Sequence, residues 1–377
     1  MPSIIQKGFY YTRLNDEKSA NVGVLKKCKA QCKAFEDCGV RMDFLTYSGQ
    51  GVKLNGAVIK PMRFGNLFED SLKFLSIWDL SLLKLVDFSA YDIIYIRYPL
   101  CHPMFMYFLA RLKRMNRRVK LIVEFPTFPY YLELSSRGYF FQGVGFIDRF
   151  CRRFLRYWVD LAVHYGMGQV LRLPTLNLTN GVGQVGRSKV AGKAGIRKTN
   201  IIAIGSWNYW HGIDRLLQGL VEHKGMKVNV VIIGSGPAVL EWKKYASASQ
   251  PKVDLKFLPH LSEQELGLYL KEADLAIGSL GMFRKRVFLD SSLKHRTYCA
   301  ESIPFVLATE DPDFPPALPF VHYVAADNTP IDIIQLLQWL SQLRADFPNY
   351  QQEMRNYAIE HLSWNVRIKQ VLKAIYD

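Results

Sequence analysis

Short apolar runs alternate with amphipathic stretches along most of this chain, and each change of period marks a change of element. Runs that suit buried strands are Gly8–Thr12, Val40–Tyr47, Tyr91–Tyr98 (YDIIYIRY), Val119–Glu124 and Asp160–His164 in the first half. The second half offers Asn200–Gly205 (NIIAIG), Val228–Gly236 (VNVVIIGSG), Val253–Leu258, Asp274–Ser279, Phe305–Ala308 and Val321–Ala325. Helical periodicity fills the gaps: about Gly23–Cys38, a stretch ending near Asn116, Pro237–Ser247, Ser262–Ala273, Ser292–Glu301, Pro330–Leu343 and a last region, Asn349–Asp377. Ser262 with Glu265 reads as a capping box at the start of one of these helices. Strand, helix and strand at this spacing form right-handed βαβ units with parallel sheets. The segment Gly183–Thr199 (GQVGRSKVAGKAGIRKT) breaks the alternation, being small, polar and basic, and reads as an interdomain linker.

Within this pattern the candidate chemistry falls at strand carboxyl ends, where open α/β sheets bind ligands. The loop after Leu275–Ile277 carries Arg284, Lys285 and Arg286, with Lys294 and Arg296 on the helix behind it. Such a set of cations suits an anionic ligand such as a nucleoside diphosphate, against the plainer reading of a solvated loop. Gly234-Ser-Gly236 stands at a strand-to-helix switch and is a candidate phosphate loop. Asn21-Val-Gly23-Val places small residues at a helix start, where free amides face a phosphate or an acceptor hydroxyl, or simply make a turn. Arg97 and Glu124 end neighbouring strands; they either serve a ligand or reacting group there or form an ion pair closing the sheet. Asp311-Pro-Asp313 has the form of a metal-binding DxD, but its proline-rich setting reads as a loop, and no metal is expected.

Composition narrows the setting. With 377 residues, 49% of them hydrophobic, the chain suits two domains, each with its own core. No run of eighteen apolar residues occurs and Met1–Leu14 lacks a signal-type apolar segment, so a cytoplasmic protein is expected. The six cysteines form no CxxC pair; Cys28, Cys32 and Phe35 share a helical face and read as core. A formal charge of +16 calls for an anionic partner, nucleic acid or anionic lipid. No nucleic-acid module is present, and a nucleic-acid partner is not expected. From Tyr139 to Tyr165, however, Phe140, Phe141, Phe146, Phe150, Phe154, Tyr157 and Trp158 interleave with Arg149, Arg152, Arg153 and Arg156. Leu100–Arg118 has a similar pattern, and both read either as ordinary core or as basic amphipathic helices at a membrane interface.

Two stretches carry a family resemblance. Ser291–Val306 (SSLKHRTYCAESIPFV) resembles the motif s-p-L-K-x-R-E-Y-x-A-x-G-I-P-F of a subgroup of glycosyltransferase family 4 met in bacterial capsule and exopolysaccharide enzymes. Gly205–Leu217 (GSWNYWHGIDRLL) resembles that family's G-x-W-x-x-W-H-G-x-D-R-L, a form of the wider G-R-x-x-x-x-K-G pattern. Pro174–Gly183 is similar to its p-x-i-x-N-G-V segment. This chain departs from the family at Thr297, where a ribose-binding Glu is usual, at Ser302 for Gly, and at Ser206 and His211 for the Arg and Lys of the wider pattern.

The resemblance implies a GT-B fold, two Rossmann-like α/β domains facing a cleft, with residues 1–183 acceptor-facing and membrane-facing, 184–199 as linker and 200–348 binding the nucleotide-sugar. Residues 349–377 would cross back to the first domain. It implies retaining, metal-independent transfer of a sugar from a nucleotide-sugar donor to a glycan or lipid-linked acceptor in surface polysaccharide biosynthesis, on the inner face of the membrane. Arg284, Lys285 and Glu124 would serve the reaction. Gly205, Ser206, His211, Arg215, Gly234, Gly236, Lys294 and Thr297 would hold the donor, with its base near Phe257–His260, and Gly23 and Arg97 the acceptor. The alternative is a non-catalytic GT-B scaffold or a partner subunit of a glycosyltransferase complex, because three usual donor contacts are replaced.

Overall fold

A computed structural model describes residues 6–18, 21–61, 77–126, 139–166, 168–183, 198–223 and 228–377. Most of the expected linker and the side chains of Phe140 and Phe141 lie outside the described residues. The chain divides into two compact units, Met1–Thr179 with Trp364–Asp377, and Asn180–Ser363. Each is an α/β unit with its own sheet.

In the first unit the strands are β1 (Gln6–Tyr11), β2 (Val40–Ser48), β3 (Gly51–Leu54), β4 (Ala57–Pro61), β5 (Ile93–Arg97), β6 (Lys120–Phe125), β7 (Leu161–His164) and β8 (Thr175–Asn177). Their order is β4-β3-β2-β1-β5-β6-β7-β8. From β2 to β8 all pairings are parallel, and only the β2-β3-β4 ribbon is antiparallel. That ribbon turns at Asn55-Gly56, both at positive φ (51° and 85°), as a two-residue hairpin requires. Among the described residues, four helices belong to the connections: α1 (Val22–Asp37), α2 (Ile77–Leu85), α3 (Pro103–Met115) and α4 (Tyr139–Cys151). Phe105, Phe108, Leu109 and Leu112 of α3 are all buried in the core, so this helix has no free apolar face, and the membrane reading of Leu100–Arg118 gives way to the core reading.

The second unit is a parallel sheet of β9 (Thr199–Ile204), β10 (Val228–Ile233), β11 (Asp254–Leu258), β12 (Leu275–Ile277), β13 (Phe305–Leu307) and β14 (Val321–Tyr323), in the order β11-β10-β9-β12-β13-β14. Its helices are α5 (Ile213–Glu222), α6 (Val239–Ser249), α7 (Glu263–Glu272), α8 (Leu293–Ala300), α9 (Ile333–Asp346) and α10 (Tyr350–Tyr357). The capping box at Ser262 forms: Ser262 N–H donates to Glu265 Oε2 at 2.9 Å, and Glu265 N–H to Ser262 Oγ at 3.3 Å.

The carboxyl-terminal region splits where a single crossing segment was expected. Residues 349–363 stay with the second unit, Ser302 Oγ donating to Gln351 O at 2.8 Å, while α11 (Trp364–Tyr376) joins the first. There Trp364, Ile368, Val371 and Ile375 pack with Cys28, Cys32 and Phe35 of α1, which confirms the core reading of that helical face. Residues 180–183 also belong to the second unit: Asn180 N–H donates to Ser291 Oγ at 2.7 Å and Val182 N–H to Leu362 O at 2.7 Å.

Gly219 in the middle of α5 tests how closely that helix packs. A Cβ there would lie 1.9 Å from Ile331 O. Alanine gains about 1 kcal/mol of helix propensity over glycine, but overpacking against backbone costs more, about 3 kcal/mol. Gly219→Ala is expected to lower stability by about 2 kcal/mol in urea denaturation; an unchanged or raised midpoint would refute the close approach.

Candidate functional site

In the second unit the strand order reverses between β9 and β12, so the loops leaving their carboxyl ends, 205–212 and 278–292, sit side by side at the switch point of a parallel sheet. The two loops touch: Leu280 N–H donates to His211 O at 3.1 Å, and a Cβ on Gly212 (φ 71°) would meet Gly281 N at 2.7 Å. Beneath them lies Trp207, fully buried, its indole N–H donating to Ile233 O at 3.1 Å. Trp207 N–H donates to Ser235 O at 2.8 Å, and Cβ atoms on Gly234 (φ 126°) and Gly236 (φ 156°) would come within 1.8 Å of Gly205 O and 2.0 Å of Trp207 O. The two glycines expected as a phosphate loop are therefore required for the β10 turn to lie against the Trp207 backbone. Gly205 has a related role, a Cβ there meeting the Trp207 ring at 3.2 Å.

Three of the expected donor groups converge over this floor. Lys294 Nζ stands 5.2 Å from the Trp207 ring centre, Lys285 Nζ lies 4.3 Å from that of Trp210, and His211 packs on both rings, at 5.5 Å and 6.0 Å. Lys294 is only 8% exposed, and its ammonium has no hydrogen-bond partner among the described residues. Burial pulls it down to about 8 from the usual lysine value, with Asp290 acting weakly the other way. Burial, followed by Lys294 and Lys285, pushes His211 down to about 3, so the imidazole is neutral. His211 Nδ1 is held by the Asn208 backbone, 3.0 Å from its N–H and 3.3 Å from its O, which fixes the orientation of the ring.

Other expected donor and catalytic residues are engaged in holding loops. Arg284 makes a two-pronged ion pair with Asp214 (2.8 Å and 2.7 Å) and donates to Tyr209 O at 2.7 Å and Asn328 Oδ1 at 2.9 Å. Its fork is filled by protein groups, while Lys285 and Arg286 of the same loop have no carboxylate partner among the described residues. Arg215 is buried and donates to Leu280 O, Ala325 O and Thr329 O, so it fastens α5 to two loops and is not a donor contact. Thr297 Oγ1 bonds back to Leu293 O at 3.1 Å, and Ser206 is exposed beside the site. Arg296 is fully buried and held by Asp311 and Asp313, which gives the two DxD carboxylates a structural partner. His295 spans the same region, Nδ1 lying 2.8 Å from Asp311 Oδ2 while Nε2 accepts from Ser279 N–H at 3.2 Å.

In the first unit the register pairs Arg97 with Glu124, and the two side chains meet at 2.9 Å. Glu124 is 0% exposed and both its oxygens are filled. Lys27 (3.2 Å) and Arg97 face Oε1; Gln31 (2.8 Å), Tyr95 (2.8 Å) and Tyr165 (3.1 Å) donate to Oε2. Burial alone would raise its pKa, but Lys27 and Arg97, with the hydrogen bonds, more than offset it and hold Glu124 at about 2. Lys27 does less well: burial outweighs its attraction to Glu124 and lowers it, even with its ammonium 3.6 Å from the Tyr165 ring centre. This enclosed and saturated carboxylate has the geometry of the ion pair closing the sheet that was the alternative expectation for Arg97 and Glu124. Arg97 keeps a partly exposed side chain, and Gly23, one turn ahead of Lys27, is exposed on the first turn of α1. Of this cluster the sequence offered only Arg97 and Glu124; Lys27, Gln31, Tyr95 and Tyr165 come from different elements and leave no local motif.

No family model matches the chain, and neither does any curated protein. Among solved structures it is similar to sucrose-phosphate synthase from Thermosynechococcus elongatus, with TM-score 0.65 at 12% identity over 98% of this chain and 99% of that one. It is also similar to Anabaena Alr3699/HepE in complex with UDP-glucose (TM-score 0.61, 12% identity, 98% and 99% covered). A third is a glycosyltransferase from Rickettsia africae (TM-score 0.61, 11% identity, 98% and 97% covered). The fold is thus that of the GT-B glycosyltransferases, as the two parallel sheets indicate.

The Glu124 cluster predicts an acid-sensitive first unit. Its folded pKa, about 2, lies below the ordinary 4.5, so its contribution to stability is complete above 4.5 and is lost as pH falls from there towards 2. The integrated effect is on the order of 3 kcal/mol. Chemical denaturation at stepped pH should show this slope in the parent protein and a flatter one in Glu124→Gln; equal slopes would remove Glu124 as the titrating anchor.

Proposed function

We propose that this chain is a glycosyltransferase that moves a sugar from a nucleotide-sugar donor to a glycan acceptor, lipid-linked and destined for a surface polysaccharide such as a capsule. The observation that carries the reading is Lys294, a buried ammonium with no hydrogen-bond partner among the described residues, beside Lys285 and the neutral His211 at the switch point of a GT-B sheet. A charge kept out of water without a counter-ion is costly, and an anionic ligand offsets that cost. A diphosphate fits the chemistry of two ammonium groups, an imidazole N–H and the loop amides around Gly281.

In this reading the bond between the anomeric carbon and the diphosphate oxygen breaks, and the electron pair leaves on the phosphate. Lys294, Lys285 and His211 stabilise that developing charge. The acceptor hydroxyl attacks from the same face, forming the new C–O bond with retention, and its proton passes to a departing phosphate oxygen. Catalysis then rests on orientation and electrostatics, without a protein nucleophile and without a metal. Gly23 and Arg97 are the proposed acceptor contacts of the first unit. The structural neighbours support donor chemistry of this class, HepE having been solved with UDP-glucose. A scaffold reading draws on Arg284 and Arg215, two expected donor cations that the protein itself occupies.

Thermal denaturation against uridine, guanosine and cytidine diphosphate sugars tests the proposal. Ligand at 100 times its dissociation constant adds about 2.7 kcal/mol, a shift of several degrees. Lys294→Met should abolish the shift with the apo melting temperature maintained. Because Lys294 is depressed to about 8, donor affinity in the parent protein should weaken as pH rises above that value, while Lys294→Arg, always charged, should hold its affinity. A shift with one donor but no transfer to any glycan acceptor would support the scaffold, and a shift that survives Lys294→Met would place the donor elsewhere.

A further inference from the structure

Between α4 and β7 the chain makes a 3-10 segment, Arg152–Tyr157, and this segment with the second half of α4 presents large apolar side chains to solvent. Phe146 is 74% exposed and Tyr157 61%, with Ile147, Phe150 and Phe154 also exposed. The rings form a row: Phe150 meets Phe154 edge-on at 5.7 Å, and Phe154 stacks on Tyr157 at 6.4 Å. Contiguous exposed aromatics of this kind mark an interaction surface.

The charges around the row have one sign. Arg149, Arg153 and Arg156 are exposed between the rings, and Arg156 Nη2 donates to Tyr157 OH at 3.1 Å. The acid of this stretch, Asp148, is buried, accepting from Tyr98 OH at 2.5 Å and Cys101 N–H at 2.6 Å, with Arg152 at 3.7 Å. No carboxylate pairs with Arg149, Arg153, Arg156 or Arg172 among the described residues. An open cleft lies beside the row, lined by Arg153, Phe154, Arg156, Leu171 and Arg172. Its far wall turns through Leu171 and Arg172, both at positive φ (53° and 58°), a conformation unfavourable for such side chains that brings the Arg172 guanidinium to the other two.

We propose that this face docks on an anionic phospholipid surface, the aromatic row entering the headgroup layer while Arg153, Arg156 and Arg172 take a lipid phosphate in the cleft. Apolar rings beside unpaired guanidinium groups match an interface whose outer layer is anionic and whose inner layer is hydrocarbon. A nucleic acid would satisfy the arginines but leave Phe146 and Ile147 without a partner. The 3-10 segment and the 171–172 turn lead into β7 and β8, and none of Phe146, Phe150, Phe154, Arg153, Arg156 and Arg172 is among the residues assigned to donor or acceptor. The proposal is therefore independent of the transfer reaction, and each can fail alone.

Co-sedimentation of the full chain with vesicles tests it, using phosphatidylcholine alone and phosphatidylcholine with phosphatidylglycerol in equal parts. Binding is expected only with the anionic vesicles. Each arginine near such a surface is worth roughly fivefold in affinity, so Arg153→Gln with Arg156→Gln should weaken binding by roughly 30-fold. Phe150→Ser with Phe154→Ser should also release the protein, and both variants should keep their melting temperature because these side chains already face solvent. Inorganic phosphate at constant ionic strength should not displace the protein; full displacement would assign the cleft to a soluble phosphate and overturn lipid docking. Binding to both vesicle types alike, to neither, or unchanged in both variants would overturn it as well, as would tighter binding to single-stranded RNA that competes with vesicles.

Discussion

Taking a charge out of water costs several kcal/mol per ion unless the protein supplies partners, and this constraint sorts the buried ionic groups of the chain into two kinds. Glu124 is answered completely: two cations and three hydrogen-bond donors from α1, β5 and the end of β7 close on one carboxylate. Arg296 is answered as fully, by Asp311 and Asp313. Lys294 is the contrary case, enclosed by Trp207 and its loops with no acceptor for its protons among the described residues. Structural charges saturate, and a charge left over points to a ligand.

That same contrast explains why charge by itself misled at Arg284. A guanidinium on a loop at a strand carboxyl end has the right location for a diphosphate, yet its planar fork also matches a carboxylate, and Asp214 on the facing helix turn fills it. Lys285, next in sequence, has no such partner and lies on the Trp210 ring. The ordering of the site therefore depends on a division of labour between neighbours. Arg284 and Arg215 lock the loops, and the function proposed above draws on Lys285, Lys294 and His211 instead.

The loops can be locked so tightly because three backbone segments meet over Trp207 with no room for a side chain at Gly234 or Gly236. What looks in sequence like a phosphate-cradling pair of glycines is, in this fold, the condition for burying an indole at the base of the site. The first unit has its own counterpart in α11, which supplies Trp364 to the wall of the Lys27 and Glu124 cluster. The exposed aromatics on α4 and the segment after it, Phe146, Phe150, Phe154 and Tyr157, are in neither core.

The sequence by itself determined the alternation of strands and helices, two units with parallel sheets, the burial of Cys28 and Cys32, and the loop pair that lies at the second switch point. These follow from local periodicity and from the short range over which caps and turns act. The hairpin β3-β4 and the helix α2 were not read, the first because its Asn55-Gly56 turn joins short, weakly patterned strands. Only the tertiary structure decided which charges are spent and which are free, since Asp214, Asp311 and Lys27 lie far in sequence from the groups they neutralise. It also decided that Phe146 and Phe150 face water while Phe105 and Leu109, with the same helical spacing, do not. Periodicity reports that a helix has an apolar face, but whether that face finds a partner depends on the packing of elements remote in the chain.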